Sequence, residues 1–250
     1  MESLDGYSGD SMAYEIVFAH GIWQVLARGK SFIPHNIGVY GATESGKTTL
    51  DKQFTTKGEI RELGLLDRTH HDKTHFLSRE RKLPSATKKH IKSEGLERTI
   101  VSSDIGGHVQ YHSMWLRDMI KRKVSTVVIV VDHRHLLDNE NLANQTALGY
   151  LVRALSTKTI PKGLTLRQRL RAKKYAPKRI ILLANKADEW LDEDGYDLWD
   201  KGFIARHNIF DVFREDMYAL HEVHIPVYID AISARYGWNV ENAVLQGMKI

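Results

Sequence analysis

The feature that most constrains this chain is the turn Gly41-Ala-Thr-Glu-Ser-Gly-Lys-Thr48, which fits the pattern G-x-x-x-x-G-K-[ST]. It follows Asn36 to Tyr40, a strand-like stretch bounded by Pro34, and precedes residues 48 to 58, which read as a helix. A strand entering a helix through such a loop aims successive backbone N–H groups at one point. The helix N-terminus adds its partial positive charge there. The result is a cradle for a nucleotide β-phosphate. In it Lys47 lies across the β- and γ-phosphates and the Thr48 hydroxyl holds Mg²⁺, while Gly41, Thr43, Glu44, Ser45, Gly46 and Thr49 line the loop.

Aliphatic runs supply the rest of the framework. Val124 to Asp132 and Arg179 to Asn185 are the continuous apolar stretches expected of strands buried on both faces. Lys88 to Lys92 and Arg98 to Ser103 flank Ser93-Glu94-Gly95, a hairpin signal, and Pro226 to Ile232 reads as a last strand. Helical periodicity covers Gln110 to Lys121, Asn139 to Ser156, Ile204 to His221 and Asn239 to Met248. Strands alternating with helices predict an α/β fold: a mainly parallel six-stranded sheet with helices on both faces. Residues 1–34 stand apart from this domain of 35–250. Within them Met12, Ile16, Ala19, Trp23 and Leu26 form one face of an expected amphipathic helix. That face either packs on the domain or meets a membrane or partner, although His20-Gly21 and a single Arg28 make it a poor membrane helix. Insertions are expected near 59–82 and 160–178.

Three further motifs fall at strand ends. Asp104-Ile-Gly-Gly107 ends the strand after the hairpin. An Asp at this point holds Mg²⁺ through a water, and Gly107 lets its bare N–H approach a γ-phosphate. Asn185-Lys-Ala-Asp188 follows the 180–184 strand. Its carboxylate accepts two hydrogen bonds, which guanine offers through N1–H and its exocyclic amine and adenine does not. Asn185 is placed to reach the acceptor edge of the base, and the Lys186 stem to cover the purine face. Ser233-Ala234 ends the last strand, where the Ala234 N–H would meet guanine O6.

The P-loop, Asp104-x-x-Gly107, Asn185-Lys-Ala-Asp188 and Ser233-Ala234, in that order, resemble the small Ras-like GTPases over roughly Asn36 to the C-terminus. Gly106-Gly107 with Trp115 in the following helix is most similar to the ADP-ribosylation-factor and heterotrimeric Gα branch, and Glu44-Ser-Gly-Lys47 resembles the Gα loop. The resemblance implies a P-loop GTPase fold, GTP and GDP as ligands, and effector and activating proteins as partners. It implies Mg²⁺ held by Thr48, Asp104 and a switch I threonine. Thr87 takes that place because Pro84-Ser-Ala-Thr87 precedes the hairpin as in Arf-like proteins; Thr69 and Thr74 are the competitors. His108 stands where Ras- and Arf-like proteins usually carry Gln. Translational elongation factors have His there, so His108 either positions the attacking water or is a switch residue adding little to turnover. Glu44 is expected to pair with a switch arginine, as in Gα, or to turn away and cap another segment. Arg61, Arg68, Arg79 and Arg81 are the candidates for a cis arginine finger, most of them otherwise solvated.

Composition closes off other chemistry. The absence of Cys excludes a disulfide framework, thiol catalysis and cysteine-ligated zinc. The aliphatic runs Val127 to Val131 and Ile180 to Leu183 fall far short of the roughly 20 apolar residues of a membrane span. The opening Met-Glu-Ser-Leu-Asp lacks the order of a signal peptide, so a cytoplasmic location is expected, with peripheral membrane contact as a variant. His70-His71-x-x-x-His75 and Asp132-His-Arg-His135 read as loops, the second near the nucleotide edge. Lys plus Arg (36) exceed Asp plus Glu (31), unevenly. Arg167 to Arg179 holds seven basic residues and no acid, whereas Asp188 to Asp200 holds seven acids and no Lys or Arg. Leu166 and Leu170, four apart, predict helical turns docked by leucines. That segment is either a solvated helix or a polyanion contact, for RNA, acidic protein or anionic lipid. Two functions follow: a GTP-hydrolysing molecular switch, or a nucleotide-holding interaction module in which GTP is structural.

Overall fold

The most aliphatic runs occupy the middle of the sheet, because only residues without polar side chains can be covered on both faces. In the computed structural model, which describes residues 34–56, 58–61, 86–93, 96–138 and 140–249, β1 is His35–Gly41, β2 Thr87–Ser93 and β3 Leu96–Ser102. β4 is Thr126–Val131, β5 Arg179–Ala184 and β6 Val227–Ala231. The strands form one sheet in the order β2-β3-β1-β4-β5-β6. All neighbours are parallel except the β2–β3 hairpin, in which Thr87 pairs with Ser102 and Ser93 with Leu96. Every residue of β4 is buried. The expected N-terminal helix, the His70-His71-His75 run, Thr69, Thr74, Arg68, Arg79 and Arg81 lie outside the described residues.

Strand alternation divides the core in two. Val127, Ile129, Val131, Ile180 and Leu182 face one side with Trp115, Leu148, Leu151, Phe210, Phe213 and Leu220. Val128, Val130, Ile181 and Leu183 face the other with Leu50, Phe54, Val240 and Val244. The covering helices are α1 (Lys47–Gln53), α2 (His112–Arg122), α3 (Arg134–Leu137), α4 (Ala143–Ser156), α5 (Leu166–Ala172), α6 (Ala187–Trp190), α7 (Glu193–Asp200), α8 (Arg214–Glu222) and α9 (Val240–Gly247).

Several helices differ from the periodicity, each for a local reason. α1 stops at Gln53 rather than 58, where the Thr55 hydroxyl donates to Lys52 O at 2.9 Å and draws the chain out of the helix. The helix expected from Gln110 begins as a 3₁₀ turn, Val109–Tyr111, before α2. Asn139 to Ser156 is helical only from Ala143, after the separate turn α3. Ile204 to His221 splits into the 3₁₀ turns Ile204–Arg206 and Asn208–Phe213 and then α8. The acidic segment forms α6 and α7. Asp192 caps α7 by accepting from Gly195 N–H at 2.8 Å, and Glu193 and Asp194 suit the positive helix start.

The basic helix α5 forms as expected but does not dock by its leucines. Leu166 is 76% exposed and Leu170 59% exposed. What holds α5 is its opposite side: Ala172 is buried, and Arg171 Nη1 donates to Ile120 O at 3.4 Å. Just beyond it the Tyr175 hydroxyl donates to Val124 O at 2.8 Å. A capping box, Thr165 with Gln168, starts the helix; the pattern T-x-x-Q was readable in the sequence.

Candidate functional site

The loop from Gly41 to Lys47 leaves the carboxyl end of β1 and opens α1. Gly46 has φ 93°, and a Cβ on it would lie 2.0 Å from Asn185 Nδ2, so no other residue fits. Glu44 takes a left-handed conformation without being glycine, at φ 62°. Lys47 is almost fully buried, and its Nζ donates to Ala42 O at 2.6 Å. Burial pulls its pKa below the ordinary lysine value, against the pull of Asp104 and Asp132. Ser45 Oγ is buried without a protein partner. Thr43, Thr48 and Thr49 are half-buried around this loop. Basic and polar groups thus face inward at one point and are not fully satisfied by protein.

Asp104 sits beside this cradle because it bridges to Val39 of β1 just past the end of β3. The Thr48 hydroxyl donates to Asp104 Oδ2 at 2.5 Å. Asp104 Oδ1 is buried with no protein partner, and burial raises the carboxyl's pKa. A carboxylate with one orphaned oxygen next to a hydroxyl suits Mg²⁺, which keeps several waters and takes few protein ligands. Among the described residues no group of three or more His, Asp and Glu could hold a metal by itself.

The segment after Asp104 lies directly on the P-loop: a Cβ on Gly107 would come 2.3 Å from the Ala42 carbonyl carbon. Two rings of α2 anchor it. Trp115 Nε1 donates to Gly106 O at 3.0 Å, and the His112 ring bonds the Gly107 backbone while packing 4.2 Å from the Trp115 ring. Burial drops the His112 pKa to about 4, so it is neutral near pH 7. His108 is exposed, and its Nδ1 accepts from Gln110 N–H at 3.5 Å, capping the 3₁₀ turn. Thr87, expected just ahead of the hairpin, is the first residue of β2 and exposed, opposite Ser102 at the Asp104 end of β3.

Asn185 joins the motifs. Its Nδ2 donates to Ser45 O at 2.9 Å, and its Oδ1 accepts from Ala234 N–H at 2.9 Å. The side chain therefore braces the two loops rather than facing a base edge, and the Ala234 N–H, expected to meet guanine O6, is engaged by Asn185. Ser233 Oγ donates to Asp188 Oδ1 at 2.5 Å. Lys186 takes φ 60°, and its Nζ lies 3.6 Å from Asp132 Oδ2.

Arg134 was missed from sequence. It leaves the end of β4 and reaches back over the P-loop, donating to Thr43 O at 3.0 Å and Glu44 Oε2 at 2.8 Å. The same guanidinium donates to Asp132 Oδ2 at 2.8 Å. Burial alone would raise the Asp132 carboxyl, but the bonds from Arg134 bring it below the usual range. Glu44 accordingly pairs with an arginine after β4; Arg61 pairs with Glu59 instead. Asp132-His-Arg-His135 is more than a loop at the edge. An Asp at a buried strand's end, two residues before an Arg, was the available signal.

No family model matches the chain, and no curated protein matches it. Among solved structures it is similar to the crystal structure of a bacterial selenocysteine-specific elongation factor, with a TM-score of 0.43 and 16% identity. The match covers 86% of this chain and 29% of that one, so the chain spans under a third of that factor's length.

Proposed function

We propose that the chain is a P-loop GTPase that binds GTP and GDP with Mg²⁺ and hydrolyses GTP as a molecular switch. The observation that carries this reading is the Asn185 brace. One buried amide ties the phosphate loop at Ser45 to the loop at Ala234, which supports a single mouth shared by Lys47, Asp104, Asp188 and Ser233 at the carboxyl edge of the sheet. Open α/β sheets place ligands at that edge.

In this reading the P-loop N–H groups and Lys47 hold the β- and γ-phosphates, and Asp188 accepts from the guanine N1–H and amine. Thr48, Asp104 and Thr87 would hold Mg²⁺, which would supply positive charge to neutralise the phosphates. Gly107 offers its N–H to the γ-phosphate, and His108 orients the attacking water. The finer likeness to the Arf and Gα branch is supported by the Trp115 bond to Gly106, which gives the double glycine and the tryptophan one purpose. Release of the γ-phosphate frees the 104–110 segment, the surface on which effector and activating proteins would act.

One observation favours the second reading, a module that holds GTP without turning it over. His108 spends its Nδ1 on its own 3₁₀ turn. Single-turnover conversion of bound GTP separates the two. The switch reading expects GDP to accumulate at about 10⁻⁴ to 10⁻² per second. GTP unchanged after hours would leave the module.

A further inference from the structure

The helix α5 turns its apolar side chains to water. At about 100° per residue, Leu166 and Leu170 share the centre of its outward face with Arg169 on one flank and Arg167 on the other, and Lys173 and Lys174 follow in the turn just past its end. All six side chains are exposed. The inward side is satisfied by Ala172 and by the Arg171 and Tyr175 bonds to the α2 end, so the leucines are not needed for docking. The capping box starts the helix and the Arg171 and Tyr175 bonds hold it, so its outward face is already formed before any partner arrives.

The surroundings extend the same pattern. α5 leads into Arg179, the first residue of β5, and Lys178 N–H bonds Ser125 O just before β4. It therefore lies at the amino edge of the sheet, opposite the Asn185 and P-loop edge. Lys158, Lys162 and Lys123 stand exposed in the neighbouring turns. Arg98, Arg179 and Lys178 lie close enough to His35, in β1 at this same edge, to join burial in lowering its pKa. From Thr157 to Arg179 the chain carries no acid.

We propose that the outward face of α5 is a docking surface for an anionic lipid bilayer, with Leu166 and Leu170 entering the acyl boundary and the four cations meeting lipid phosphates. Apolar side chains in the centre with long cationic stems on both flanks match the layering of a lipid interface, hydrocarbon below and phosphate above. An RNA would satisfy the cations but leave both leucines in water. Docking here would point the nucleotide mouth away from the membrane, so the proposal stands or falls separately from the GTPase reading.

The test uses the full chain and two kinds of phosphatidylcholine vesicle, one pure and one containing about one third phosphatidylserine. Flotation should recover the protein with the anionic vesicles, and recovery should fall as salt screens the cations. Leu166→Ser with Leu170→Ser should weaken anionic-vesicle binding about tenfold or more, as should Arg167, Arg169, Lys173 and Lys174 changed together to Ser. Both variants alter exposed positions, so an unchanged melting curve verifies their folding. Residues 12–26 carry their own apolar periodicity, and the leucine variant leaves them intact, which isolates α5. The proposal is overturned if the parent ignores anionic vesicles, if the leucine variant binds them as the parent does, or if single-stranded RNA alone is bound.

Discussion

Two Asp–Arg pairs in this molecule look alike on paper and behave differently. Asp118 and Arg122, four apart in α2, form an interior cluster. Arg122 Nε donates to Asp118 Oδ1 at 2.7 Å, the Tyr40 hydroxyl donates to Oδ2 at 2.7 Å, and Ser103 Oγ adds a bond of 3.2 Å. Arg122 also donates to Ile37 O at 3.0 Å, stitching α2 to β1. Asp132 and Arg134, two apart, form a cluster at the mouth, where Glu44 is 74% exposed and Asp104 Oδ1 and Ser45 Oγ are buried without a protein partner nearby. A cluster that closes on itself holds a fold together. One that leaves buried polar atoms unpaired stands ready for a ligand.

The largest expected effect is in the closed cluster. Asp118→Ala strands a buried guanidinium and the Tyr40 hydroxyl, and should lower unfolding free energy by about 3–5 kcal/mol in urea titration. A loss under about 1 kcal/mol would mean that the interior pair is no more than a surface-type bridge. Lys47→Ala should do the opposite. It removes a buried cation with no carboxylate at contact distance among the described residues, so melting should hold or rise while GTP affinity falls roughly 100-fold by calorimetry. Weaker melting with unchanged affinity would reverse the roles assigned to the two regions.

The anchors between the two regions predict an acid response. His112 titrates near 4 when folded and near 6.5 when unfolded. The unfolded chain therefore binds more protons between those values, and stability falls as pH is lowered from about 6.5 to about 4. His112→Phe, which keeps the packing on Trp115 and Tyr150, should remove about 2 kcal/mol of that loss, less than the roughly 3 kcal/mol of the full shift because solvent screens the ring in part. Identical pH profiles for parent and variant would clear His112 of the effect. The smallest change is at the mouth: Arg134→Gln frees the strap over Thr43 and Glu44 and should speed release of labelled GDP about tenfold, with a smaller melting loss than Asp118→Ala because Lys186 stays 3.6 Å from the buried Asp132 carboxylate. An unchanged release rate would make Arg134 a surface residue.

The sheet was legible because its strands are unlike the rest of the chain. Val127–Val131 and Ile180–Ala184 have no alternative to burial on both faces, and the P-loop glycines punctuate β1 unambiguously. Helix boundaries were less legible, since hydroxyls such as that of Thr55 and caps such as Asp192 override periodicity within a single turn. The spacing of Leu166 and Leu170 said helix correctly but said nothing of which face would be buried; Arg171 and Tyr175 decide that through backbone oxygens 51 residues away. The candidate-site residues could be named one by one from their motifs, whereas the Asn185 brace and the Arg134 strap join positions 140 and 91 residues apart and leave no local trace.

The central claim is that the open cluster at the carboxyl edge is a guanine-nucleotide site, and competition binding tests it most directly. Labelled GDP bound in the presence of Mg²⁺ should be displaced by GTP and resist a large excess of ATP. Asp188→Asn should weaken GTP and shift preference toward xanthosine triphosphate, because the amide donates to the carbonyl that replaces the amine. Equal displacement by ATP and GTP, or an Asp188→Asn variant with the parent's base preference, would contradict the account.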